Sequence, residues 1–167
     1  AHTPDALKLA LLNLKEQFPF SKINLVFGCG GDRDFKKRPI MGRIADKYSD
    51  KIYLTDDNPR YEEPLKIRKE IKNVINKNKV HEISNRKKAI QEAIKNLETG
   101  DILLVAGKGH EKIQDYGKKK LFFSDKTEIL NSIKIKNKSL SKDFKLNIIR
   151  EQSKSKISNK LVIKDIS

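Results

Sequence analysis

Apolar residues recur along most of this chain in two alternating rhythms. Ala6, Leu7, Ala10, Leu11 and Leu14 fall at helical spacing, so Pro4 to about Gln17 reads as a helix capped by Thr3 and opened by Pro4. Ile23 to Phe27 is a short apolar run, the pattern of a buried strand. The alternation then repeats. A helix is expected to open at Pro39 with Ile40, Ile44 and Ala45 inward, followed by a strand at Lys51 to Thr55. A third helix is expected from Pro64 to about Asn76, with Ile67, Ile71, Val74 and Ile75 on one face, then a short strand at Val80 to Ile83. Arg86 to Leu97 reads as a fourth helix through Ala89, Ile90, Ala93, Ile94 and Leu97, and Asp101 to Ala106 as the most apolar strand. Ile113 to Tyr116 and Leu121 to Phe123 suggest a hairpin around Gly117, and Ser124 or Asp125 can cap a final short helix.

Strands alternating with helices of this length predict an α/β domain: a mostly parallel sheet with helices on both faces. Right-handed crossovers then bring the loops after Phe27, Thr55 and Ala106 to one edge of the sheet. Open sheets of this kind bind ligands at that edge.

The rhythm stops near Ile133. Residues 134–167 are rich in Lys, Ser and Asn and contain no Gly or Pro, and they read as a basic linker or the start of a following domain. A helix at Asp143 to Gln152 and a strand at Leu161 to Ile166 are the elements expected there. The polar start, Ala1-His2-Thr3-Pro4-Asp5, lacks Met and any secretory signal, which suggests a segment of a longer chain.

Composition narrows the function classes. The formal net charge is +15, which raises nucleic acid as a partner. The 34-residue tail carries ten Lys/Arg against three Asp/Glu, and the remaining body carries 27 against 19. The surplus is therefore concentrated in the tail, and no basic stretch is interleaved with aromatic rings, so the charge reads as solvated surface with no specific nucleic-acid site. No apolar run approaches the ~20 residues of a membrane span. Cys29 is the single cysteine, in keeping with a reducing cytoplasm.

The candidate chemistry lies in the three loops. Asp56-Asp57-Asn58-Pro59-Arg60 joins two carboxylates, an amide, a rigid proline and a guanidinium. Arg60 can fork onto a carboxylate and Asp57 can hold an ammonium, so the group types suit a zwitterion. An Asx turn ending a strand accounts for the same residues. Gly28-Cys29-Gly30-Gly31-Asp32-Arg33-Asp34 allows close backbone approach, with Arg33 and Arg38 as candidates for anionic groups, or is a glycine-rich turn with solvated charges. It is neither a Walker loop nor the dinucleotide fingerprint. Cys29 fits a small buried thiol better than a nucleophile. Gly107-Lys108-Gly109-His110-Glu111 suits ligand contact or a simple turn, and its one His beside one Glu is not a metal motif.

Taken together, Ala1-His2-Thr3-Pro4-Asp5, Phe27 to Asp34, Lys37-Arg38-Pro39, Asp57-Asn58-Pro59-Arg60 and Gly107 to Glu111 resemble, in order and approximate spacing, motifs of the MurE-type ligases of the Mur ligase family. The resemblance covers about residues 1–133. It implies the Rossmann-like C-terminal domain of a three-domain enzyme, whose other domains bind the UDP-sugar and ATP with Mg²⁺. It implies ATP-dependent addition of meso-diaminopimelate to UDP-MurNAc-L-Ala-D-Glu through an acyl phosphate, in cytoplasmic peptidoglycan synthesis. By the same resemblance, Arg60 pairs with the distal carboxylate of diaminopimelate and Glu111 with its distal ammonium. Arg33, Asp57, Asn58 and Gly107 make further contacts to the amino acid. His2, Asp5 and Arg38 lie toward the nucleotide. No catalytic residue and no metal ligand is expected within this chain, which alone should be inactive, with ATP and Mg²⁺ held mainly by the other Mur ligase domains. A lysine-adding or folylpolyglutamate-type ligase is the neighbouring alternative, and Arg60 argues against the lysine form. Leu161 to Ser167 resembles the start of the next ligase of the pathway, MurF, which suggests a MurE–MurF fusion.

Overall fold

The computed structural model describes residues 2–150. The elements run α1 (Pro4–Gln17), β1 (Ile23–Phe27), α2 (Lys37–Tyr48), β2 (Lys51–Leu54), α3 (Pro64–Lys72), β3 (Val80–Glu82), α4 (Arg86–Lys95), β4 (Ile102–Val105), β5 (Ile113–Tyr116), β6 (Lys119–Phe122) and α5 (Asp125–Arg150). Four parallel strands form one sheet in the order β3-β2-β1-β4, and β5 and β6 form a separate antiparallel hairpin.

The order follows from the crossovers. β1, β2 and β3 step outward through α2 and α3 on one face, and α4 returns the chain across the other face to place β4 beside β1. Period-2 alternation then divides the core. Ile23, Leu25, Phe27, Ile52 and Leu54 meet Leu7, Leu11, Met41, Ala45, Ile67 and Ile71 from α1, α2 and α3. Val26 and Tyr53 point the other way, onto Ala89, Ile90, Ala93 and Ile94 of α4, with Ile129 and Ile133 of α5 beside them. Both faces of β1 are therefore covered, and all five of its residues are buried.

Helix α1 begins where the cap pattern places it: Thr3 Oγ1 accepts from the Ala6 N–H at 3.2 Å. Other boundaries differ from the sequence reading. Helix α2 opens at Lys37, two residues before Pro39, and presents Met41, Gly42 and Ala45 to the core while Ile40 stays 41% exposed. Ala6 is also exposed. Helix α3 ends at Lys72, and Ile75 reaches the core from the turn beyond it. The final helix is not short. It spans 26 residues and passes through residue 133 without a break. Asp143 to Arg150 of the expected tail helix lies within it, and the strand expected at Leu161 to Ile166 falls outside the described residues.

Candidate functional site

All four strands of the sheet point the same way, so the loops after β1, β2 and β4 emerge at one edge. They enclose a cleft lined by Gly30 and Arg33 from the first loop, Asp57, Asn58 and Arg60 from the second and Glu111 from the third. His2 and Lys37 complete its wall. The two residues of opposite character expected to read a zwitterion, Arg60 and Asp57, thus share one cavity.

The Asp56–Arg60 segment is held from below. Asp56 is buried and turned away from the cleft, paired with Arg68 and accepting from the Tyr116 hydroxyl at 3.1 Å. Gln114 of β5 donates to the carbonyls of Asp56 and Asp57 at 3.2 and 2.9 Å. The Asp115 N–H donates to Asn58 Oδ1 at 3.0 Å, and the Asp115 carbonyl accepts from the Arg60 N–H at 2.9 Å. Arg60 takes φ +54°, a left-handed conformation that is uncommon outside Gly, Asn and Asp. That conformation turns its side chain back over the glycine loop. Arg60 Nη1 donates to the Gly31 carbonyl at 2.8 Å and would lie 3.0 Å from a Cβ built on Gly30. Among the described residues no carboxylate pairs with Arg60, and the exposed Arg33 has none either.

Gly31 and Gly107 are glycine for steric reasons. A Cβ on Gly31 would collide with the Pro59 carbonyl oxygen, so the first two loops touch through their backbones. Gly107 has φ +119°, and a Cβ there would collide with Asp57 Oδ2. That oxygen is buried and has no hydrogen-bond partner among the described residues. Gly107 therefore shapes the site from behind Asp57 and does not line the cleft. Beyond it, Glu111 accepts from Asn58 Nδ2 at 2.8 Å and from Lys108 Nζ at 3.2 Å. Burial alone would raise the Glu111 carboxyl, but these two donors hold it below its ordinary value. Its other oxygen lies 3.8 Å from His2 Nε2.

The residues expected on the nucleotide side separate. His2 is at the cleft, while Asp5 is exposed in the first turn of α1 and does not line it. Arg38 is not at the cleft surface. It is fully buried, forked onto Glu62 at 2.6 and 2.7 Å, bonded to Glu70 at 2.8 Å, and donates to the Gly30 carbonyl at 3.2 Å. Its bonds to Glu62, which outweigh burial, raise its pKa further, so it is a permanent charge already spent on two carboxylates. Successive helical residues point about 100° apart, so with α2 opening at Lys37 it is Lys37 that faces the cleft while Arg38 turns inward. Lys37 Nζ also donates to the His2 carbonyl at 3.0 Å. The basic run Lys36-Lys37-Arg38 was visible in the sequence, but the helix phase that separates its members was not. Lys108 was equally easy to overlook: a lysine between two glycines reads as exposed, and this one is 1% exposed.

Cys29 is buried 3.6 Å from Met41 Sδ, and burial pushes its thiol up to about 12, which leaves no nucleophilic thiolate near neutral pH. Among the described residues no group of three His, Cys, Asp or Glu side chains could hold a metal ion, and no helix is long and apolar enough to cross a membrane. The cleft joins guanidinium and carboxylate groups in one cavity. It can therefore hold a small molecule bearing both charges, in one orientation.

Comparisons with known proteins find similar chains at the level of family, sequence and fold. Residues 1–109 match the family described as Mur ligase, glutamate ligase domain. The chain is 54% identical over 136 residues to the UDP-N-acetylmuramoyl-L-alanyl-D-glutamate–2,6-diaminopimelate ligase of Rickettsia rickettsii, covering 81% of this chain and 28% of that protein. It is 44% identical over 164 residues to the ligase of the same name from Rickettsia typhi, covering 98% of this chain and 31% of that one. A solved structure of an enzyme with that name superposes with a TM-score of 0.76 at 40% identity, over 82% of this chain and 28% of the other. The chain thus spans less than a third of the length of these relatives.

Proposed function

The chain belongs to the Mur ligase family, to its glutamate ligase domain, and from that premise we propose that it is the amino-acid-binding part of an ATP-dependent ligase adding meso-diaminopimelate to UDP-MurNAc-L-Ala-D-Glu. The observation that carries the reading is Arg60: a guanidinium at the cleft wall, without a carboxylate partner among the described residues, in the same cavity as Asp57 and Glu111. Diaminopimelate ends in a carboxylate beside its distal amine, and lysine does not. Arg60 meets that carboxylate, Glu111 meets the adjacent ammonium, and Arg33, Asp57 and Asn58 orient the rest. Gly107 acts through Asp57. The names borne by the similar proteins support the same substrate.

The role of these residues is positioning. Amide formation needs the attacking amine held against an activated carboxyl carbon, and a bidentate clamp at the far end fixes the direction of the near end. ATP, bound with Mg²⁺ mainly by residues outside this chain, supplies the phosphoryl group that turns a carboxylate oxygen into a leaving group. The Lys37 cation at the cleft wall and His2 beside it suit the anionic side of that reaction, with Asp5 near the same end of the chain in the first turn of α1. The reaction belongs to the cytoplasm, where the nucleotide-sugar substrate is made. The mixture of carboxylates and guanidinium groups in the cleft supports a zwitterion over a nucleic acid, whose uniform negative charge Asp57 and Glu111 would repel.

The test is a chimera in which this chain replaces the matching segment of the Rickettsia rickettsii relative. Incubated with ATP, Mg²⁺, UDP-MurNAc-L-Ala-D-Glu and meso-diaminopimelate, it should yield a product heavier by one diaminopimelate less water in the mass spectrum. No such product, from a chimera that folds, would overturn the reading.

A further inference from the structure

Lys108 is enclosed beside the cleft, with no exposed side-chain surface. Its ammonium has three donors and no acceptor. Nζ lies 2.8 Å from Asn58 Oδ1, 3.2 Å from Glu111 Oε2 and 2.6 Å from the Ile113 carbonyl. Each proton therefore has one acceptor, and each acceptor belongs to a different segment: the second loop, the third loop and the start of β5. With every donor committed, Lys108 neither touches a ligand nor moves a proton.

What it does instead follows from Asn58. The two groups facing one end of the Asn58 amide, Lys108 Nζ and the Asp115 N–H, are both donors. That end has to be the oxygen. Nδ2 is thereby turned toward Glu111, 2.8 Å away. Glu111 in turn has Oε2 tied to Asn58 and Lys108, which leaves Oε1 on the side facing His2 and the cleft. Without Lys108 the amide could turn over, and its oxygen would then face the Glu111 carboxylate.

We infer that Lys108 is a positioning residue for the amino-acid site, setting the direction of the Asn58 amide and of the Glu111 carboxylate that meets the substrate's distal ammonium. The role in substrate binding rests on the functional reading above. The orientation of Asn58 and Glu111 does not.

Two experiments separate these parts. In the 167-residue chain, Lys108→Met should raise the midpoint of the Glu111 side-chain titration, followed by ¹³C NMR, and remove the exchange protection of the Asn58 side-chain amide. Unchanged signals would overturn the inference whatever the chain catalyses. In the chimera, the same substitution should raise the KM for diaminopimelate at least about tenfold with kcat within about threefold, the size expected for loss of a charge-assisted hydrogen bond. In a Glu111→Gln background the further rise should be less than about threefold, since the two residues act through one contact. An equal factor in both backgrounds would mean a merely structural lysine and would overturn the positioning role. Should Lys108→Met fail to fold, Lys108→Gln, which keeps an uncharged donor, is read by the same criteria. A parent chimera without diaminopimelate-dependent turnover, alongside shifted NMR signals, would sink the ligase reading and leave the orientation role standing.

Discussion

Arg60 shows how much a single position can hold. Its φ of +54° is unfavourable for a residue with a Cβ, by about 1 kcal/mol, yet it directs the guanidinium across Gly30 to the Gly31 carbonyl. Arg60→Ala in the chimera should raise the KM for diaminopimelate by about ten- to a hundredfold, from loss of a charge-assisted contact, in steady-state kinetics. Gly31→Ala should cost at least about 2 kcal/mol in chemical denaturation, because the added methyl meets the Pro59 carbonyl and parts the two loops. Arg38 carries the opposite expectation. Arg38→Met should destabilise by about 3 kcal/mol, since it leaves Glu62 and Glu70 without their cation, while in the chimera the KM for ATP stays unchanged. Residue types in the loops were legible from the sequence because Gly, Pro, Asp and Arg each have narrow uses. Arg38 was misplaced because its direction depends on where α2 begins, and the residue at the cap position, Lys36, makes no side-chain cap hydrogen bond that would mark it.

At the scale of elements, the strands and helices of the sheet were readable because each buries a face whose period shows in the sequence. The bounds of helix α1 matched, since Thr3 and Pro4 supply both of its start signals. The end of α5 was not readable. Residues 134–143 of its continuation are mostly exposed, and an exposed helix leaves little apolar pattern. One long-range side chain helps to anchor it: Lys136 Nζ caps the end of α4 through the carbonyls of Ile94, Lys95 and Leu97. The hairpin was predicted as an element but not as a part of the site. Its Gln114 braces the Asp56 and Asp57 carbonyls, a long-range pairing with no sequence signal. Gln114→Leu should lower stability by about 2 kcal/mol, because two buried carbonyls lose their donor, and a thermal melt of the chain measures it.

For the whole molecule, the ion pairs set a pH dependence. Arg38 holds Glu62 below its ordinary carboxyl value, outweighing its burial. Burial would raise Glu82 and Glu111, but Lys72 and Arg68 lower the first, and Asn58 and Lys108 the second. Each of the three binds its proton less readily in the folded chain than in the unfolded one. Their contribution is therefore fully present above the usual glutamate value of 4.5 and is lost as pH falls through the depressed values. Thermal melting should be flat in this respect near pH 6 and fall progressively below about pH 4.5. The net charge of +15 belongs to this scale as well, but it says little about the cleft, where two carboxylates, Asp57 and Glu111, stand among the cations Arg33, Lys37 and Arg60. The central claim is that this cleft recognises an amino acid with a carboxylate at each end. Its most direct measurement is phosphate release by the chimera with UDP-MurNAc-L-Ala-D-Glu, comparing meso-diaminopimelate with L-lysine at equal concentration. Release that depends on diaminopimelate and is absent with lysine is the expected result, and equal or faster release with lysine would contradict it.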